Sequence, residues 1–350
     1  MLYFQCFEHV NLHLTFLFIC YKIHINIIFA LAGAEGVMKY IGIDIGGMSI
    51  KAGIVTEEGK ILAKKTVVTD TSSEQRTVED IAGLILSILQ ENNLSKDDIA
   101  GVGIGSPGSV YDEKGVIRYS CNLNFKNTPL VKLLQESTGI QNIKVSNDAN
   151  CAALGETLFG AGKGAKNTVM LTLGTGVGTG IVVDGKLLTG NRSAGAEGGH
   201  ITINFGGATC GCGKKGHLEA YASATALMNQ VRVAIAKHPE SLLAERAAIE
   251  GVHGKLVFDC KDAGDKVAES VVKRYLKYVG IGLVNYANIF YPEVIIVGGG
   301  ISNQGDNIII PLQRYVSRNV YGAEYNPKIK VVAATLKNDA GIVGAACLVM

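Results

Sequence analysis

Two stretches of the chain repeat the same order of apolar strands and glycine turns. Residues 43–62 (IDIGGMSIKAGIVTEEGKIL) and 171–188 (LTLGTGVGTGIVVDGKLL) each predict a strand, a glycine turn, a second strand, an acidic-Gly-Lys turn and a third strand. Glycine at the tips lets backbone N–H groups approach an anion such as a phosphate. The repeat therefore predicts two related α/β domains that face each other across a ligand-binding cleft.

Further apolar patterns predict the remaining elements. Ile81, Leu84, Ile85 and Leu89 fall on one face of a predicted helix over residues 77–92. Other helices are predicted over 151–159, 222–237, 240–250, 263–289 and 340–348. Strands are predicted over 39–45, 50–56, 60–68, 99–104, 143–146, 168–173, 180–183, 294–297 and 329–334. The mixture of strands and helices predicts an α/β fold.

Residues 197–219 (EGGHITINFGGATCGCGKKGHLE) contain a candidate metal site. Two imidazoles and two thiols make the donor set that tetrahedral zinc prefers. The four candidate ligands are His200, Cys210, Cys212 and His217. The alternative is a glycine-rich surface loop with incidental cysteines, but Cys-x-Cys with two flanking histidines is a specific pattern. We expect a structural zinc ion that does not use Glu197 or Glu219 as ligands, so that both carboxylates can bind a small molecule.

The composition limits the possible functions. The chain has 350 residues, of which 47% are hydrophobic and 18% charged, so it is long enough for two domains and too apolar to be disordered. A net charge of +2, without a basic run, argues against nucleic-acid binding. Most of the 8 cysteines are scattered singly, which is typical of a reducing compartment, and we expect a cytoplasmic protein without a membrane partner.

The first 37 residues differ from the rest. Residues 12–32 are apolar, and Ala30 with Ala32 resembles a signal-peptidase site, but no Lys or Arg precedes this run. A membrane span is disfavoured by Lys22 within the segment. We interpret residues 1–37 as an extension outside the core, with Met38 as the natural start.

A resemblance to a known family adds to these patterns. From Met38 onward the chain resembles the ROK family of bacterial sugar kinases and repressors, which belong to the actin-like and hexokinase-like ATPases. The matching pieces are Asp44-x-Gly-Gly47, Gly105-x-Pro-Gly108, Asn122-Leu123, Asn147-Asp-Ala-Asn150, Gly174-Thr-Gly-x-Gly178, Glu197-x-x-His200 and Cys210-x-Cys-Gly-x-x-Gly-x-x-Glu219. Seven pieces in order are far more specific than one motif. The run over residues 122–130 is most similar to the bacterial glucokinases.

The resemblance implies a two-domain, actin-like and hexokinase-like α/β fold with a cleft between the domains. A small domain would span residues 38–150 and a large domain with the zinc loop residues 151–337. Residues 338–350 would form a C-terminal helix that returns to the small domain. Family members are commonly dimers, so a homodimer is expected.

The implied activity is the ATP-dependent phosphorylation of a hexose, with glucose as the expected substrate. Asp148, which by itself reads equally well as a helix N-cap, would accept the proton of the sugar 6-hydroxyl. Sugar contacts are implied for Gly105, Asn122, Asn147, Glu197, His200 and Glu219. Contacts to ATP and Mg²⁺ are implied for Asp44, Gly46, Gly47, Lys51, Gly174, Thr175, Gly176, Gly178, Gly298 and Gly299. Besides ATP and Mg²⁺, the implied cofactor is the structural Zn²⁺.

The chain departs from the family pattern at two positions. Met48 stands where the family usually has threonine, whose hydroxyl can bind a phosphate, so we expect slower catalysis. His217 stands where the family usually has a third zinc cysteine, and imidazole is an equally good ligand.

Three alternatives are considered. The first, a repressor, is disfavoured, because it would carry a helix-turn-helix domain before the kinase-like part and only 37 residues precede the match. A catalytically weak sugar-binding protein is the second. The third is a kinase for another hexose, namely N-acetylmannosamine, N-acetylglucosamine, allose or fructose.

Overall fold

The computed structural model describes residues 37–120 and 123–350. The interpretation of residues 1–36 and the sugar contact expected from Asn122 therefore lie outside the described residues.

The first sheet carries the N-terminal hairpin and has five strands. They are β1 (Lys39–Ile45), β2 (Ser49–Thr56), β3 (Ile61–Val68), β4 (Gly101–Ser106) and β8 (Ile143–Asn147). Their order is β3-β2-β1-β4-β8, with antiparallel pairing from β3 to β1 and parallel pairing from β1 to β8. Three short strands, β5 (Ser109–Tyr111), β6 (Val116–Ser120) and β7 (Phe125–Thr128), form a separate antiparallel sheet beside it.

The second sheet follows the same plan. It consists of β9 (Thr168–Leu173), β10 (Val177–Val183), β11 (Lys186–Leu187), β12 (Val294–Gly298) and β13 (Lys330–Ala333). The order β11-β10-β9-β12-β13 again joins an antiparallel meander to parallel strands. The hairpin repeat predicted from the sequence is thus confirmed, and the fold is the two-sheet hexokinase-like ATPase fold.

Ten α-helices connect these strands in the described part of the chain. They are α1 (Glu74–Glu91), α2 (Leu130–Thr138), α3 (Asp148–Phe159), α4 (Glu219–Ala222), α5 (Ala224–Lys237), α6 (Leu242–Glu250), α7 (Leu256–Asp262), α8 (Lys266–Phe290), α9 (Asp306–Asn319) and α10 (Ala340–Cys347). Among the helices of residues 37–120 and 123–350, none is both long and apolar enough to cross a membrane.

Helices α3 and α10 pack against each other between the two sheets. Helix α3 contacts β9 and β10 of the second sheet and β4 and β8 of the first, while α10 contacts β1, β2 and β4. The helices approach so closely that a Cβ atom on Gly344 would lie 1.6 Å from the Cys151 carbonyl oxygen. A side chain at this position would therefore force the helices apart. Each sheet has its own apolar core, while the domain limits at residues 150 and 337 stay a prediction.

The sequence patterns missed several elements. Strands β5 to β7 and helices α2, α7 and α9 were not predicted. Helix α9 contains Pro311 in its interior, a residue that normally signals the end of a helix. Its apolar face nevertheless packs in the large core through Ile308, Leu312 and Val316, so tertiary packing outweighs the local signal.

Candidate active site

A cleft of about 320 Å³ lies between the sheets, at the N-terminal ends of α3 and α10. The first sheet contributes Asp44 and Lys51, and α3 contributes Asp148. The second sheet contributes Thr172 and Gly178. The cleft thus combines acidic, basic and glycine positions from both sheets, and its two acidic residues, Asp44 and Asp148, are more than a hundred residues apart in the sequence.

Asp148 is the first residue of α3 and is fixed by the residue before it. The Asn147 side chain accepts hydrogen bonds from the N–H groups of Ala149 at 2.9 Å and Asn150 at 3.3 Å, and so caps the helix. Such a cap contributes about 1 kcal/mol. The pKa of the Asp148 carboxyl is raised above its ordinary value, mainly because burial disfavours the charged form, and the Asp44 carboxylate adds to the rise. Hydrogen bonding from the Ala149 N–H opposes it in part.

Asp44 and Lys51 face each other across the first hairpin. They are paired in the β1–β2 register, and Lys51 Nζ lies 3.4 Å from Asp44 Oδ2. Gly341 in α10 lies against the same carboxylate, since a Cβ atom there would come within 2.7 Å of Asp44 Cγ. A carboxylate and an ammonium group are therefore held side by side at the cleft wall.

The predicted glycine tips differ in where they lie. Gly178 and Gly299 line the cleft, whereas Gly298 ends β12 and packs against Met170. The N–H of Gly46 already donates to the Ser49 carbonyl at 2.9 Å. Gly47, Gly174, Thr175 and Gly176 lie in the hairpin turns and not among the cleft-lining residues.

Buried hydroxyl groups hold the turn that carries Glu197 and His200. Thr179 Oγ1 accepts a hydrogen bond from the Gly198 N–H at 2.8 Å, and the Tyr286 hydroxyl donates to the Gly198 carbonyl at 2.5 Å. Burial raises the pKa of Tyr286 above its ordinary value, so this hydroxyl keeps its proton. The Glu197 side chain is exposed at the surface of the turn.

The four predicted metal ligands come together. One ligand atom from each of His200, Cys210, Cys212 and His217 lies within 4.8 Å of the others. Nδ1 of His200 is 3.6 Å from Cys210 Sγ, and Nδ1 of His217 is 3.2 Å from Cys212 Sγ. Around tetrahedral zinc, sulfur and nitrogen ligands lie about 3.6 Å apart. The donor set and its spacing therefore fit zinc.

Glu219 connects this ligand cluster to the second glycine turn. Its Oε1 accepts a hydrogen bond from Cys210 Sγ at 3.1 Å, and its Oε2 accepts one from the Val177 N–H at 3.1 Å. Gly176 leaves room for the carboxylate, because a Cβ atom there would lie 2.4 Å from Oε2. Both Glu219 oxygens are thus engaged within the protein.

Gly105 lies behind the candidate base. A Cβ atom at Gly105 would be 3.5 Å from the Asp148 Cα and 3.3 Å from Cys151 Sγ, so this position supports the first turn of α3.

Sequence reasoning missed several cleft-lining residues. They are Ala149, Ala152, Met170, Thr172, Ser302, Asn303, Ala334, Lys337, Asn338, Ala340 and Gly341. Gly300, which follows the predicted pair, also lines the cleft. The local sequence signal for these cleft-lining residues is limited to the polar residues Ser302 and Asn303, shortly after the glycines at 298–300.

Comparisons with known proteins identify the family of the chain. The ROK family model matches residues 40–350. A glucokinase of Halalkalibacterium halodurans is 40% identical over 318 residues, which are 89% of this chain and 94% of the relative. The crystal structure of a ROK family glucokinase from Streptomyces griseus, in complex with glucose and AMPPNP, matches with a TM-score of 0.74 and 35% identity, over 89% of this chain and 99% of that chain. A ROK hexokinase from Thermus thermophilus matches with a TM-score of 0.75 and 33% identity, over 88% and 97% of the two chains.

The chain belongs to the ROK family. Within it, the chain is an ATP-dependent sugar kinase that is similar to the bacterial glucokinases.

Proposed function

We propose that this kinase transfers the γ-phosphoryl group of ATP to the 6-hydroxyl of glucose. The observation that carries the proposal is that Asp44, Lys51 and Asp148 line one cleft together with Gly178 and Gly299. The similarity to glucokinases of two other bacteria supports glucose as the sugar.

Asp148 acts as the general base in this proposal. It accepts the proton of the 6-hydroxyl as the oxygen attacks the γ-phosphorus. A raised pKa makes its carboxylate a stronger base than an ordinary aspartate, which favours proton transfer. Asn147 caps the helix that begins with Asp148, and one hydrogen of the Asn147 side-chain amide is available to a sugar hydroxyl.

Asp44 and Lys51 serve the phosphate side of the cleft. Asp44 would hold Mg²⁺ through water, and bound Mg²⁺ neutralises charge on the transferring phosphates. The Lys51 ammonium, 3.4 Å from Asp44 Oδ2, keeps this carboxylate oriented and offers a positive charge to the nucleotide. Gly178 and Gly299 would let the phosphates approach the backbone, and Gly298 would support the part of the cleft that Gly299 lines.

The zinc loop, residues 197–219, would position the side chains that bind the sugar. His200 would bind Zn²⁺ through Nδ1, the nitrogen that faces Cys210, and present Nε2 to the sugar. Cys210, Cys212 and His217 complete the set of metal ligands. Glu197 and Glu219 would accept hydrogen bonds from sugar hydroxyls. A zinc-bound Cys210 thiolate no longer donates to Glu219 Oε1, so this oxygen would be available to the sugar while Oε2 keeps the Val177 N–H.

A coupled assay of ADP formation tests the substrate. Glucose, N-acetylmannosamine, N-acetylglucosamine, allose and fructose are compared by kcat/KM with saturating ATP and Mg²⁺. We expect the highest value for glucose. A higher value for another hexose would reassign the substrate, and sugar binding without ADP formation would favour the weak sugar-binding protein suggested by Met48.

The homodimer and the cytoplasmic location stay predictions. Light scattering of the purified chain distinguishes a dimer from a monomer.

A further inference from the structure

A buried carboxylate in α3 has no part in the proposed chemistry. Glu156 is 0% exposed, and its partners are backbone N–H groups and one hydroxyl rather than a lysine or arginine. Oε1 accepts a hydrogen bond from the Leu336 N–H at 2.7 Å. Oε2 accepts hydrogen bonds from the N–H groups of Ala161 at 2.8 Å and Thr335 at 3.1 Å, and from Thr335 Oγ1 at 3.2 Å. A charge buried this completely is tolerated because four donors face it.

These contacts join two functional parts of the cleft. Glu156 lies in the same helix as Asp148, two turns further along, so one helix carries the base at its first residue and this carboxylate in its last turn. Thr335 and Leu336 belong to the segment between β13 and α10. That segment forms one wall of the cleft, through Ala334, Lys337 and Asn338.

The wall segment has a conformation that needs support. Lys337 directly follows Leu336 and has a φ of 52°, a left-handed conformation that is unfavourable for a lysine. Three of the four hydrogen bonds that the Glu156 side chain accepts come from Thr335 and Leu336, the two residues before Lys337. Hydrogen bonds to Glu156 in α3, the helix that begins with Asp148, therefore support this conformation of the wall.

We propose that Glu156 is a positioning residue for the nucleotide, which holds the residue 334–338 wall in its ATP-binding arrangement and fixes it relative to the helix of the catalytic base. The inference rests on the kinase activity and on the placement of ATP proposed above. Without the hydrogen bonds to Glu156, the wall would spend part of its time in arrangements that bind ATP poorly. The apparent affinity for ATP would then fall in proportion to the fraction of molecules that remain in the ATP-binding arrangement. The residues that line the cleft together with this wall include none of the zinc-loop residues 197–219.

The test is Glu156→Gln, which preserves the size of the side chain but turns an NH₂ group toward backbone N–H donors. We expect the KM for ATP to rise by about tenfold, with the KM for the sugar and kcat changed by less than about threefold. Calorimetric titration with a non-hydrolysable ATP analogue should show the same loss of affinity.

Thr157→Val is the matched control. Thr157 is the next residue of α3 and is also buried, but its hydroxyl bonds Ala153 and Thr168 on the side of the second sheet. This variant should lose thermal stability without a selective change in the KM for ATP. If Glu156→Gln raises the KM for ATP no more than the control does, or raises the KM for the sugar equally, Glu156 is a purely structural residue and the inference is wrong.

A second variant covers the case in which Glu156→Gln does not fold. Thr335→Val removes only the hydroxyl donor to Oε2 from an exposed residue, and should raise the KM for ATP by about two- to fivefold at unchanged melting temperature. An unchanged KM would overturn the inference. The analogue titration does not require turnover, so a wild-type chain that phosphorylates none of the hexoses would count against the proposed function and leave the test of Glu156 intact.

Discussion

Asp44, on strand β1, and Asp148, at the start of α3, line the same cleft, and the negative charge of Asp44 raises the pKa of Asp148. Burial is the larger cause of the rise. The two carboxylates are therefore not equivalent. Asp148 holds a proton more strongly than an ordinary aspartate, as suits a general base.

The pH dependence of the reaction should report this pKa. The base works only when it is deprotonated, so kcat must fall as the pH drops through the pKa of Asp148. We expect the acid limb of the profile of kcat/KM, which reports the free enzyme, to lie above the ordinary aspartate value of about 3.9. Initial rates are measured at substrate concentrations well below KM, with circular dichroism as a check of folding at each pH. An acid limb at or below the ordinary value would contradict the assignment.

Replacement of the base should separate activity from stability. Asp148→Asn should lower kcat by about 10²–10⁴ and leave sugar affinity nearly unchanged. It should also raise the melting temperature at pH 7, because the neutral amide avoids the desolvation of a buried charge.

The stability gain of Asp148→Asn should depend on pH in a defined direction. A raised pKa in the folded state means that the protonated wild-type group is stabilising at low pH, and that this contribution is lost as the pH rises through the folded pKa. The difference in melting temperature should thus vanish below about pH 4 and be largest at neutral pH. Near wild-type turnover in this variant would show that another group takes the proton.

The strands of the two five-stranded sheets, the hairpin repeat and the start of α3 could be predicted because short-range patterns determine them. The positions of Asn303 and Lys337 at the cleft could not be predicted. Exposed polar residues in loops carry no periodic signal, and only the packing of β12, β13 and α10 brings these two residues to the cleft. Glu156 is equally inconspicuous in the sequence. A glutamate within a helix normally faces solvent, and only the fold shows that this one is buried among backbone donors.

Removal of the metal should weaken sugar binding before it unfolds the chain. The ion would position His200 through Nδ1, and without it the Cys210 thiol occupies Glu219 Oε1, so both residues proposed to bind the sugar are affected. We expect chelation to raise the KM for the sugar by about tenfold at a temperature where circular dichroism is unchanged.

Elemental analysis provides the direct measurement for the metal. The purified chain should contain about one zinc ion, His217→Cys should retain it and His217→Ala should lose most of it. His238→Ala is the control, because this exposed histidine pairs with Glu240 and lies outside the ligand cluster. An active sample without zinc would refute the assignment.

Gly341 should be sensitive to the smallest substitution. A Cβ atom there would lie 2.7 Å from Asp44 Cγ, so Gly341→Ala must displace the carboxylate proposed to hold Mg²⁺. We expect a loss of kcat of about tenfold or more and a higher Mg²⁺ requirement. Gly83→Ala in α1 is the control, because a Cβ atom there has no neighbour within 4 Å and should leave kcat unchanged. Equal kinetics of the two variants would place the Mg²⁺ site away from Asp44.

Met48 is the position where the chain departs from its family near the phosphate site. The side chain is 88% exposed at the turn between β1 and β2 and is not among the cleft-lining residues, so it has room to be replaced without repacking. A threonine hydroxyl that reaches a phosphate oxygen would contribute about 1.5–3 kcal/mol. Met48→Thr should then raise kcat/KM for ATP by about tenfold or more and leave sugar affinity nearly unchanged. Val68→Thr, another exposed apolar residue, opposite Ser49 on β3, controls for the general effect of a new surface hydroxyl. If both variants match the wild type, the side chain of residue 48 stays in solvent when ATP is bound, and the first hairpin contributes to nucleotide binding through Asp44 and Lys51 alone.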